Sequence, residues 1–234
     1  MRLKDIRPVE GKIILKSGLH ISSGGMEMHI GGTDSPVIKH PHTREPYIPG
    51  SSLKGKVRSL LEMRSGLMMY TDGDVVSMGV LKDERITEDQ RQEATKILKI
   101  FGSSGADKED ETKFGPTRVS FADCYLNEDW ERMAKENRWL YTEEKSENVI
   151  NRIKGTAEHP RFIERVPEGT VFDLRITFKV FDEDNDELFA YLLEGLKLLE
   201  MDALGGNGSR GYGRIMFEFG DNGINDRFKG IKLF

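Results

Sequence analysis

Gly205-Gly206-Asn207-Gly208-Ser209-Arg210-Gly211-Tyr212-Gly213-Arg214 packs five glycines and two arginines into ten residues with no aliphatic side chain among them. Glycine permits positive φ and close backbone approach to a ligand, and arginine supplies planar donors suited to phosphate. A plain turn needs one or two glycines, so an anion-binding loop is the favoured reading and a flexible turn the other one. Gly206-x-Gly208-x-x-Gly211 also spells the dinucleotide fingerprint, but that fingerprint follows a strand and opens a helix. Here the order is reversed. A helical pattern ends near Asp202 and a strand pattern follows from Arg214 to Phe219.

Upstream, Val171 to Phe181 alternates Phe172, Leu174, Ile176, Phe178 and Val180 with Asp173, Arg175, Thr177 and Lys179, the pattern of a strand with one buried face. Asp186 to Met201 sets Leu188, Tyr191, Leu192, Leu196 and Leu199 along one helical stripe with acids at its start. Ile13, Leu15, Leu19 and Ile21 predict a first strand over 11–22. Leu53, Val57, Leu60 and Leu61 predict a helix from about 51, capped by Ser51 or Ser52. Arg118 to Leu126 reads as another strand, and Ile86 to Phe101 as a further helix.

The core segments, at about 11–22, 51–65, 118–126, 171–181, 186–201 and 214–219, run strand, helix, strand, strand, helix, strand. That is the βαββαβ order of an α+β, ferredoxin-like (RRM-like) domain, with two helices on one face of a sheet. The expectation is a single domain over 1–234 with insertions at 23–50, 66–117 and 127–168. The first insertion carries Met26, Met28 and Ile30, then Gly31 to Pro36, then Val37 to His40, and reads as a protruding hairpin. The third, with Trp130, Trp139, Arg152, Lys154, Arg161 and Arg165, has no pattern that fixes its structure.

Composition bounds the function. A net charge of −5 argues against a general nucleic-acid binder and leaves room for a local basic patch. Lys54 and Arg58, one turn apart at a serine-rich helix start, are candidates for such a patch; lysines solvating an exposed face are the other reading. The one cysteine, Cys124, builds no disulfide framework and reads as core. No run of about 18 apolar residues is present and Met1 to Asp5 has no apolar leader, so a cytoplasmic protein without a membrane segment is expected. His20, His29, His40, His42 and His159 are scattered without zinc spacing, and no zinc site is expected.

Five stretches beyond the glycine loop carry a resemblance: Ile48 to Gly55, Ile100-Phe101-Gly102, Asn148 to Arg152, Glu164 to Phe172, and Gly31-Gly32-Thr33-Asp34-Ser35-Pro36. In these the chain resembles the RAMP superfamily of CRISPR-associated proteins, and in the last of them the repeated backbone subunit of the type III-A Csm effector complex. The resemblance implies a subunit that stacks with further copies of itself and other Csm subunits along a CRISPR RNA and interrupts the guide–target duplex with its hairpin. It implies metal-dependent cleavage of the target RNA at regular intervals, antiviral defence, and Asp34 as the catalytic residue. It also implies guide contacts from His20, Ser51, Ser52, Lys54, Arg58, Gly206, Gly208 and Arg210.

By residue chemistry alone, Asp34 can ligate Mg²⁺ or a similar divalent ion, can position a ribose 2′-hydroxyl, or can serve a turn, since Thr-Asp-Ser-Pro is also good turn sequence. His20 reads equally as a satisfied structural histidine or an RNA contact. A purely structural guide-binding subunit is the competing function. A precursor-processing endonuclease is a third, disfavoured because no histidine, tyrosine and lysine cluster stands out.

Overall fold

A computed structural model describes residues 1–24, 35–103 and 114–234. The elements run β1 (Leu3–Leu15), α1 (Gly50–Arg64), α2 (Glu88–Phe101), β2 (Val119–Phe121), α3 (Glu128–Glu136), β3 (Glu143–Ile150), β4 (Ala157–Arg165), β5 (Val171–Phe181), α4 (Asp186–Met201), β6 (Ile215–Phe219) and α5 (Asn222–Gly230). One sheet has the order β2-β5-β1-β6 with every neighbour antiparallel, and β3 and β4 form a separate two-stranded hairpin. Once the insertions are removed, this is the ferredoxin-like order.

The patterning of β5 holds: Phe172, Leu174, Ile176 and Phe178 are buried, while Asp173 and Arg175 face water and Val180 is half-buried. The buried face carries α1 and α4. Leu53, Val57, Leu60 and Leu61 of α1 are buried, as are Leu192, Leu196 and Leu199 of α4. Each fully buried leucine contributes about 1.5–3 kcal/mol. Gly195 sets the distance between the helices, because a Cβ there would stand 2.8 Å from both Leu61 Cδ1 and Val57 Cγ1. Cys124 is core, and burial pushes its thiol up to about 12.

Several sequence boundaries are corrected. The first strand runs 3–15 rather than 11–22: β1 breaks after Leu15, and Leu19 resumes pairing with a different partner, Val166. Its N-terminal half is hidden from pattern reading by Lys4, Asp5, Arg7 and Glu10. That half pairs with β5 alone, since β6 reaches only Gly11 to Leu15. The Glu10 carbonyl faces β6, where it accepts from Gly220, so Ile6 and Pro8 face the free edge. Pro8 has no N–H, and the Ile6 N–H is taken by Asp5 Oδ1 at 2.8 Å, which blunts that edge against strand addition.

The strand expected over 118–126 is only three residues long. Beyond Phe121 the chain makes single bridges, Cys124 to Ile48 and Leu126 to Phe172. Neither serine caps α1: its N-cap is Pro49 without a side-chain bond, and Gly50 N–H donates to Asp123 Oδ1 at 2.8 Å. The helix expected from Ile86 begins at Glu88, with a capping box between Thr87 and Gln90. The third insertion supplies α3 and the β3–β4 hairpin. The C-terminal α5, which the sequence reading lacked, packs Phe228 edge-on to Phe219 and Phe217. Of the expected protruding hairpin, Met26 to Asp34 lie outside the described residues. Val37 and Lys39 pair with Ser22 and Pro46.

Candidate RNA-holding cleft

The glycine loop is docked along the segment that continues from β1. Gly205, at φ +76°, would place a Cβ 2.3 Å from the His20 carbonyl oxygen, and Gly213, at φ +72°, would place one 1.9 Å from that of Leu204. Gly206 N–H donates to His20 O and Gly213 N–H to Gly18 O, both at 2.9 Å. Gly208 opens a 3₁₀ turn with Ala203 Cβ 2.9 Å from where its own Cβ would be. The glycine count therefore answers first to close backbone packing. The N–H of Gly206 is spent on the protein, which corrects the reading of it as an anion donor.

The docked loop forms one wall of a cleft of about 650 Å³ lined by His20, Ser35, Arg161, Gly206, Asn207 and Arg210, among others. His20 is buried. Its Nδ1–H donates to the Glu164 carbonyl at 2.7 Å and its Nε2 lies 3.2 Å from Ser35 Oγ. Both ring nitrogens are thus engaged, and His20 acts as a tether on the residue directly after Asp34. Glu164 completes that tether. Its N–H donates to Ser35 O at 3.1 Å, its Oε2 accepts from Val37 N–H at 2.9 Å and its Oε1 from Lys39 Nζ. Burial raises the Glu164 pKa, but the bonds from Lys39, Thr142 and Val37 outweigh it and hold the carboxyl below its ordinary value.

A depressed carboxyl stabilises the fold above its unfolded pKa and loses that contribution as pH falls through the folded value. Wild type should therefore melt above Glu164→Gln at pH 7, and the gap should close below the ordinary carboxylate range. A melting series from pH 7 to pH 3 reads this directly. A gap independent of pH would show that the negative charge is not what holds the segment.

Arg210 extends from the 3₁₀ turn, 58% exposed, with Nη1 2.7 Å from Glu147 Oε2. Tyr212, fully buried, donates its hydroxyl to Glu147 Oε1 at 2.8 Å, and burial together with that carboxylate pushes the phenol up to about 12. At the start of α1, Ser51 is exposed and Ser52 half-buried. Lys54 has no ion pair among the described residues; burial and then Arg58 lower its pKa. Arg58 is committed elsewhere, its Nε donating to Glu62 Oε1 at 2.7 Å and its Nη2 to Val76 O at 2.6 Å.

The structure thus brings His20, Gly206 and Arg210 to one cleft and leaves Ser51, Ser52 and Lys54 at a separate helix start. The sequence reading missed Arg161 as a cleft residue and Glu147 and Glu164 as partners of cleft residues, because the pairing of β3 with β4 is what places them. Among the described residues no group of three or more histidine, cysteine, aspartate or glutamate side chains could hold a metal ion. Nor is any helix long and apolar enough to cross a membrane.

Residues 12–217 match the profile of the RAMP superfamily. The chain belongs to the RAMP superfamily. Within it, the chain is 39% identical over 210 residues to a CRISPR system Cms endoribonuclease Csm3 from Streptococcus thermophilus, covering 88% of this chain and 84% of that one. It is 40% identical over 213 residues to the protein of that name from Methanocaldococcus jannaschii, covering 89% and 77%. Among solved structures, a Csm3–Csm4 subcomplex of the type III-A CRISPR-Cas interference complex matches with a TM-score of 0.52 at 31% identity, over 93% of this chain and 78% of that one. Csm3 of Methanopyrus kandleri matches with a TM-score of 0.58 at 26% identity, over 92% and 75%. The ferredoxin-like core is the RAMP fold.

Proposed function

We propose that this chain is the repeated backbone subunit of a type III-A CRISPR effector complex, holding the guide RNA by its backbone and cleaving the complementary target at regular intervals. The observation that carries the reading is the cleft itself, where exposed Arg210 on a rigidly docked glycine loop faces Ser35, the neighbour of Asp34. Arg210 offers a planar fork to phosphate oxygens. Ser51, Ser52 and Lys54 add a second contact at a helix N-terminus, through two hydroxyls, an ammonium and the helix dipole. All are sequence-independent contacts, as a subunit that must accept any guide requires.

Cleavage is assigned to Asp34. Its carboxylate positions the ribose 2′-hydroxyl and accepts its proton. The 2′-oxygen bonds to the adjacent phosphorus, and the P–O5′ bond breaks with its pair on the 5′-oxygen, which takes a proton from water. A 2′,3′-cyclic phosphate and a 5′-hydroxyl result. Mg²⁺ or a similar divalent ion belongs to the same proposal. Asp34 would hold it, and it would stabilise charge on the phosphate.

Further copies of this chain and the other subunits of the complex are the proposed partners, with the cytoplasm as the compartment. Incubating the assembled complex with complementary RNA and Mg²⁺ should yield a ladder of evenly spaced products. Bound but uncut target would sink the catalytic half of the proposal.

A further inference from the structure

The four-stranded sheet ends on β2 at one side and on β6 at the other, and the N-terminal half of β1 adds a third free edge. An open edge offers unpaired N–H and C=O groups to any extended chain. The β2 edge is covered by the chain itself, since Ile48 pairs with Cys124 and a Cβ on Gly50 would stand 2.3 Å from Phe121 O. The β1 edge is blunted by Pro8 and Asp5. Among the described residues no strand lies along the outer side of β6, and its edge is closed by side chains instead.

Lys16 N–H donates to Arg214 O at 2.7 Å and Gly220 N–H to Glu10 O at 2.8 Å, so the even-numbered residues here point their backbone groups at β1. Ile215, Phe217 and Phe219 therefore point theirs outward, while their side chains stay buried. The Phe217 N–H donates to Glu200 Oε1 at 3.0 Å. The Phe219 N–H donates to Asn225 Oδ1 at 3.1 Å, and Asn225 Nδ2 donates back to Phe219 O at 2.5 Å. That two-bond exchange is what a residue directly opposite on an added antiparallel strand would make. The side-chain amide takes the place of a peptide group.

Both contacts are held from behind. Glu200, in the last turn of α4, has its other oxygen on Lys197 Nζ at 2.7 Å and is 17% exposed. Asn225 sits near the start of α5, where Asp221 Oδ1 accepts from Ile224 N–H at 2.8 Å and fixes the helix end. Phe228, about one turn on, stands edge-on to Phe219 with ring centroids 5.0 Å apart, and the Lys197 ammonium lies 4.6 Å from the Phe228 ring centroid. Lys197 ties the two contacts together.

We infer that the Asn225 amide and the Glu200 carboxylate form an autoinhibitory cover on the β6 edge, occupying the place where a second copy of this chain would add its own β6. Strand addition reads backbone rather than side chains, and β6 against β6 is self-complementary about a two-fold axis, so another copy is the partner matched to this edge. With the edge covered, contact between copies is confined to other surfaces. The inference does not depend on RNA and stands apart from the proposed function.

The test uses the purified full chain without RNA, as wild type, Glu200→Ala, Glu200→Gln, Asn225→Ala and the double alanine variant. Amide hydrogen exchange in dilute samples should quicken roughly fivefold at Phe217 in Glu200→Ala and at Phe219 in Asn225→Ala, the effect of losing about one net hydrogen bond. Glu200→Gln keeps a carbonyl acceptor and should exchange like wild type. Sedimentation over a concentration series should show the double variant self-associating about tenfold more strongly than wild type, with protection of both amides returning as the copies pair. Should Asn225→Ala fray α5, Glu200→Ala carries both readouts, because it leaves every residue of α5 in place. Unchanged exchange in both single variants would overturn the inference, and so would open amides without added association. Association that leaves the two amides unprotected would put the contact on another face and overturn it as well. Guide and target binding enter none of these readouts, so the proposed function stands or falls separately.

Discussion

Asp34→Ala is expected to abolish target cleavage, by roughly 10²–10⁴-fold, the usual cost of removing a positioned proton-transfer group. Target binding should stay the same or tighten. The sign follows from charge, since deleting a carboxylate beside a polyanion removes repulsion, while the cations proposed to hold the strand sit on the glycine loop and the helix start. The bonds of the tether named above run between His20, Ser35, Val37 and Glu164. Single-turnover cleavage and target affinity on the same reconstituted complex separate the two effects. Cutting at the wild-type rate would take Asp34 out of the chemistry and favour a subunit that only holds the guide.

The core was legible in sequence wherever one periodicity acts alone. In β5 every second residue is apolar, and α4 keeps a clean stripe, so their bounds agree with the structure at 171–181 and 186–201. Legibility failed where charge interrupts the pattern. Most of β3 is exposed, its sequence reading Glu-Glu-Lys-Ser-Glu-Asn-Val-Ile, and its pairing with β4 is a long-range fact that local periodicity does not carry. The same holds for the first eight residues of β1, whose outer edge faces no strand.

In the site, residue type was easier to read than residue employment. Arginine and lysine near a serine-rich helix start suggested phosphate contacts, yet Arg58 turns back along the helix to Glu62 four residues on and to the Val76 carbonyl. Histidine near a strand end left two readings open, and its ring nitrogens meet Glu164 O and Ser35 Oγ. Five glycines suggested an anion cradle. Two of them are instead required by carbonyl oxygens 2.3 and 1.9 Å from their missing Cβ positions. In each case the deciding partner is distant in sequence or hidden until the loop is docked.

Arg118→Ala should destabilise the chain by about 3–5 kcal/mol, the cost of stranding one member of a buried ion pair. Arg118 and Asp184 are both fully buried side chains, joined by two bonds of 3.0 Å, Nε to Oδ2 and Nη2 to Oδ1. The remaining Nη1 donates to the carbonyls of Phe114 and Pro116, and the guanidinium lies over the Phe181 ring at 4.7 Å. Alanine removes every one of these at once. Among the described residues it leaves the Asp184 carboxylate with the Phe181 N–H at 3.1 Å and Lys99 at 4.0 Å. Lysine at position 118 should rescue little, because a single ammonium cannot reproduce the fork. The loss reaches the site, since Arg118 leads into β2 and Asp123, a few residues on, receives the first N–H of α1. Urea denaturation of the purified subunit measures the change, and a difference under about 1 kcal/mol would mean that the interior tolerates the orphaned carboxylate.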